Sequence, residues 1–94
     1  MFKFLFKRAR LVQLKKLRKK RDEVLTTDNS GRARQLVYEL PGVRRITSHV
    51  GWRSSCEVEF SDGFEFKGFG DSELQAIQDV ITNVYLKSIT YVVG

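Results

Sequence analysis

The sequence predicts an α+β domain: an N-terminal basic helix, an antiparallel sheet of three or four strands, and a C-terminal helix packed on one sheet face. Three observations carry that prediction. Residues 56–67 alternate apolar and charged side chains on either side of a glycine turn, the period of a half-buried strand pair. Residues 74–85 repeat their apolar positions at helical spacing. Residues 7–25 lack glycine and proline and are rich in good helix formers. A chain of 94 residues with 41% hydrophobic content suits one small folded domain. The expected organisation is a basic helical arm over 1–26, a loop over 27–34 and a β-meander-plus-helix body over 35–94.

At the start, Phe2, Phe4 and Phe6 flank Lys3 and Leu5. Three rings so close together are expected to pack on the body or on a partner; a membrane surface is the lesser alternative. On the following helix, Leu11, Leu14, Leu17, Val24 and Leu25 share one arc, with Arg10, Arg18 and Arg21 intruding on it. Arg8, Lys15, Lys16, Lys19 and Lys20 lie outside that arc. The result is a leucine seam beside a ridge of positive charge. Thr26 to Arg34 is polar, contains a glycine and reads as a loop.

Gln35 to Leu40 reads as a strand in preference to a short helix, because Val37 and Tyr38 favour strands. Pro41-Gly42 suits the centre of a type II turn. Val43 to Val50 is the returning strand, with Ile46, Ser48 and Val50 on one face. Cys56, Val58, Phe60, Phe64 and Phe66 then share the apolar face of a hairpin whose turn, Ser61-Asp62-Gly63, lets Gly63 take positive φ. Asp71 or Ser72 is placed to cap the last helix, with Glu73 in its first turn. Leu74, Ile77, Val80, Ile81, Val84 and Tyr85 form its inner arc, and Leu86 is the misfit. Thr90 to Val93 is β-prone and is expected as an edge strand or a cover over the core.

Two stretches resemble known families. Leu40-Pro41-Gly42-Val43 resembles the hairpin of helix-hairpin-helix DNA-binding motifs, with Arg44 where the family has a second glycine. The order helix, three strands, helix, with Gly68-Phe69-Gly70-Asp71-Ser72-Glu73 before the last helix, resembles a double-stranded-RNA-binding domain over residues 43–88. That resemblance implies the shape alone. The family's last helix opens with lysines that straddle phosphates, whereas this one opens with Asp71, Ser72 and Glu73, and Ser48-His49-Val50-Gly51 stands where a Gly-Pro-His turn is expected.

Charge is the sharpest functional signal. Residues 1–21 hold ten Lys or Arg and no acid; the other seven bases and all eleven acids follow, so the remainder carries −4. A basic arm on an acidic body points to a polyanionic partner. The reading is a small, non-catalytic accessory protein that engages DNA or RNA without sequence choice. Arg8, Arg10, Lys15, Lys16, Arg18, Lys19, Lys20 and Arg21 are its phosphate contacts, with Arg44, Arg45 and Arg53 secondary. The alternative is a protein-interaction module, with Phe2, Phe4, Phe6, Leu11, Leu14 and Leu17 docking on a larger nucleic-acid-processing enzyme as inhibitor or regulator, or on a second copy. Trp52 is expected at the core edge; if exposed, it can stack on a base.

No apolar run approaches the ~20 residues of a membrane span, and no signal-peptide pattern is read at the start. His49 is the single histidine and Cys56 the single cysteine, so neither a zinc site nor an internal disulfide is expected. Cys56 reads as an inert core thiol in a cytoplasmic protein. No catalytic constellation or cofactor motif is found, and enzyme activity is not expected.

Overall fold

The computed structural model describes residues 10–93, with side-chain environments for 14–89. In chain order the elements are α1 (Arg10–Thr26), α2 (Ser30–Tyr38), β1 (Val43–His49), β2 (Ser54–Phe60), β3 (Glu65–Gly70) and α3 (Glu73–Val93). The strands form one antiparallel sheet in the order β1-β2-β3. The expected α+β architecture, with a C-terminal helix on one sheet face, is what the chain adopts.

Alternation decides the two faces of the sheet. Cys56, Val58 and Phe60 of β2 are fully buried, and Ile46 pairs with Val58 on the same side. That inner face is covered by Ile77, Val80, Ile81 and Val84 of α3, all fully buried, in the arc expected from their spacing. Leu86 is exposed. Ser72 caps α3: its Oγ accepts from the Gln75 amide at 3.2 Å, and Gln75 Oε1 accepts in return from the Asp71 amide at 2.8 Å. Both turns behave as their glycines require. Gly42 has φ 83° and Gly63 has φ 95°, and the Val43 amide donates to the Leu40 carbonyl across the first of them.

α3 comes close to β3 because two positions lack side chains. A Cβ on Gly68 would lie 2.3 Å from the Val80 nitrogen, and one on Gly70 would lie 2.4 Å from the Gln75 Cβ. At this distance α3 reaches the outer edge of β3. Asp79 accepts from the Phe69 amide at 2.9 Å, and Asn83 donates to the Lys67 carbonyl at 2.8 Å. At the opposite edge, Arg34 of α2 donates to the Ile46 carbonyl at 2.8 Å and to Ser48 Oγ at 2.9 Å.

α1 packs on α3 and α2. Leu17 and Val24 enter the same core cluster as the sheet residues. Gln78 of α3 donates to the Val24 carbonyl at 3.3 Å, and Arg21 stacks over the Tyr85 ring at 4.4 Å. Because residue 24 meets 78 while 21 meets 85, α1 runs antiparallel to α3. Its basic N-terminal half therefore lies beside the C-terminal half of α3.

Four expectations need correction. Gln35–Leu40 is not a strand; Ser30–Tyr38 is helix α2, which shortens the expected 27–34 loop to residues 27–29. Asn29 starts α2 by accepting from the Arg32 amide at 2.9 Å, and Ala33, Leu36 and Val37, spaced for one helical face, are all buried. Burying that face outweighs the strand preference of Val37 and Tyr38. Residues 90–93 continue α3 and do not form a further strand, so the sheet of the described residues has three strands. Val50 lies beyond β1 and is 72% exposed. Trp52, expected at the core edge, is fully exposed at 103%.

Candidate nucleic-acid interface

The apolar positions of α1 settle which side of it meets solvent. Leu17 and Val24 are buried and Leu14 is half-buried, so the helix is seated by that stripe. Lys15, Lys16, Arg18 and Lys19 then fall on the exposed side. Lys15 and Arg18 are neighbours at i,i+3, and Lys15 and Lys19 at i,i+4, so the cations stand close together along roughly one turn. Among the described residues none of the four is held in a salt bridge.

The next two cations differ. Lys20 Nζ lies 2.7 Å from Glu39 Oε1, which brings the C-terminus of α2 against α1. The hydrogen bond from Lys20, followed by its charge, lowers the Glu39 pKa below the ordinary carboxylate value. Arg21 is half-buried, 3.0 Å from Asp22 and stacked on Tyr85. These two fasten the helix, while the preceding four present free charge. Arg8, Phe2, Phe4 and Phe6 lie outside the described residues, and only the helical backbone is described for Arg10 and Leu11. Leu17, expected at a protein interface, is committed to the chain's own core, because it anchors α1 together with Val24 and half-buried Leu14; Leu25, expected in the same arc, is instead 42% exposed.

The secondary cations do not join this row. A register shift between Val43 and Arg45 lets both Arg44 and Arg45 reach one carboxylate. Arg45 Nη2 is 2.7 Å from Glu59 Oε1, and Arg44 Nη1 is 3.7 Å from Glu59 Oε2. The hydrogen bond from Arg45 is the main cause of a lowered Glu59 pKa. Arg45 projects from the sheet face opposite the helices. Arg53 sits in the β1–β2 turn, at the end of the sheet where α3 begins, with its guanidinium 5.0 Å from the Phe69 ring centroid.

A groove of about 330 Å³ lies between α1 and the α2–β1 turn. Its floor is Leu17, Leu40 and Pro41, and its rim carries Lys16, Lys19 and Lys20 together with Glu23 and Glu39. The mixed rim makes it a poor anion trap, so the exposed ridge beside it is the stronger candidate. The α3 N-terminus is also unsuited to phosphate: Asp71 precedes it and Glu73 stands in its first turn, 3.6 Å from Arg34.

No family model, curated protein or solved structure matches this chain. Among the described residues no cluster of three His, Cys, Asp or Glu is placed to hold a metal ion, and no helix is long and apolar enough to cross a membrane. Cys56 is fully buried, and that burial raises its pKa, which disfavours the reactive thiolate. One feature was missed by sequence reading: Phe69 is partly exposed beside Arg53 and Lys67. The signal was present, because extending the β3 alternation puts Phe69 on the charged face with Glu65 and Lys67.

Proposed function

We propose that this chain is a non-catalytic accessory protein that binds nucleic acid through its phosphate backbone, largely without sequence choice. The observation that carries the reading is the seating of α1. Its apolar stripe and the Lys20–Glu39 and Arg21–Tyr85 contacts fix the helix, and Lys15, Lys16, Arg18 and Lys19 are left exposed together. A fixed row of cations meets a phosphate backbone with little ordering left to do, and each phosphate contact releases counterions. The net charge of +6 favours encounter with any polyanion. We place the protein in the cytoplasm, where a lone unpaired thiol such as Cys56 stays reduced.

The test is a salt titration of binding to a labelled duplex and a labelled single strand. The variant compared with the wild type carries Lys15→Gln, Lys16→Gln, Arg18→Gln and Lys19→Gln. For each phosphate that the variant no longer neutralises, the slope of log K against log salt is expected to be shallower by about 0.9 on duplex and about 0.7 on single strand. Absence of binding at low salt, or an unchanged slope in the variant, removes the reading. The competing reading, a regulator docked on an acidic protein surface, uses the same cations but no longer has Leu17 at its interface.

A further inference from the structure

The β1–β2 turn gathers features that the phosphate-binding row does not use. Val50 is 72% exposed, Trp52 is 103% exposed and Phe69 is 42% exposed. These three are half of the exposed large hydrophobics among the described residues, and they sit at one end of the sheet. Strand register explains the grouping. His49 and Phe69 both pair with Ser55, so the three form a row across the face turned away from the helices. The Arg53 guanidinium covers the Phe69 ring at 5.0 Å, and Lys67 Nζ approaches the same ring at 5.4 Å.

The charges around this cluster indicate what it meets. Residues 49–53 contain Arg53 and His49 and no acid, and the nearest acid in strand register is Asp71, one residue beyond the Ser54–Gly70 pair. Arg53 makes no salt bridge among the described residues. Lys67 is shared with Glu57 at 3.4 Å, and Asp79 is occupied by the Phe69 amide. Trp52 gains nothing from the fold, since it buries no surface in it. A wholly exposed indole next to an unpaired guanidinium matches a ligand with flat aromatic groups and anions at short spacing. Unpaired bases on a phosphate backbone have that chemistry, whereas in a duplex the bases are already stacked on each other.

We propose that the β1–β2 turn is a stacking contact for a single-stranded nucleic acid, with Trp52 packing on an unpaired base and Arg53 meeting the adjoining phosphate. The proposal takes its ligand class from the phosphate-backbone reading but uses different residues at the opposite end of the sheet, so the two can fail separately.

Trp52 is the one tryptophan in the chain, so its fluorescence reports on this turn alone. The full chain is titrated with an oligothymidylate of about ten nucleotides, a length in the usual range for single-strand sites. Parallel titrations use a duplex of equal length and vesicles containing phosphatidylserine. Single strand is expected to quench Trp52. Trp52→Ala is expected to weaken single-strand binding about ten-fold, the size of one base stack. Duplex affinity is expected to stay unchanged, and Trp52→Phe to retain most of the single-strand affinity. Unchanged single-strand affinity in Trp52→Ala overturns the proposal, as does equal loss on single strand and duplex. A fluorescence change with vesicles but not with oligothymidylate assigns the turn to a lipid surface and also overturns it. If the four-glutamine variant loses binding while Trp52→Ala does not, the α1 reading stands and this one falls. If Trp52→Ala alone matters, the reverse holds.

Discussion

At the scale of single residues, partners separate the cations more sharply than their positions in the sequence do. Arg45 and Arg18 are both exposed arginines, but Arg45 is already satisfied by Glu59 at 2.7 Å. Arg18→Gln is therefore expected to weaken nucleic-acid binding more than Arg45→Gln, measured at one salt concentration on one duplex. The Lys20–Glu39 pair gives a second prediction. Glu39 has a lowered pKa in the folded chain, mainly through its hydrogen bond from Lys20. The pair therefore adds stability that is present above the ordinary glutamate value and is lost as pH falls through the lowered one. In a carbon-detected NMR titration, Lys20→Met is expected to return Glu39 towards its ordinary value and leave Glu59 unmoved. Charge asymmetry along the chain was legible in the sequence. Which cations were already paired was not, because Glu39 is nineteen residues from Lys20 and Glu59 fourteen from Arg45.

Among the elements, the hairpin and the last helix were legible because period and punctuation agree. Alternation fixes β2 and β3, Gly63 fixes their turn, and the spacing from Ile77 to Val84 fixes the buried side of α3. Helix α2 was not, because two local signals conflict. Val37 and Tyr38 favour strand, while the Asn29 cap and the Ala33, Leu36, Val37 spacing favour helix, and only the packing partners decide between them. Asn29→Ala is expected to cost about 1 kcal/mol in denaturant unfolding through removal of the cap. A larger loss is expected where α3 meets β3. Gly68→Ala would drive a methyl group against the Val80 and Ala76 backbone, and neither strand nor helix can yield without moving. A cost of about 3 kcal/mol is expected, with the melting temperature as the readout. Gly51→Ala serves as the control, since nothing lies within 4 Å of its added methyl.

For the molecule as a whole, one core joins all six described elements, and α1 contributes Leu17 and Val24 to it. Removing residues 1–26 is therefore expected to lower the unfolding temperature sharply, whereas the four glutamine substitutions on the exposed side of α1 leave it nearly unchanged. Differential scanning calorimetry on the two variants separates the anchoring role of α1 from its charge. The way the sheet ends has a consequence of its own. Asp79 and Asn83 occupy outward-facing backbone groups of β3, and Arg34 occupies one of β1. An extended segment approaching either border meets side chains where it would need free amides and carbonyls. Growth by adding rungs, the route by which small β proteins template fibrils, is thus opposed at both margins by three polar side chains from the helices that cover the inner face.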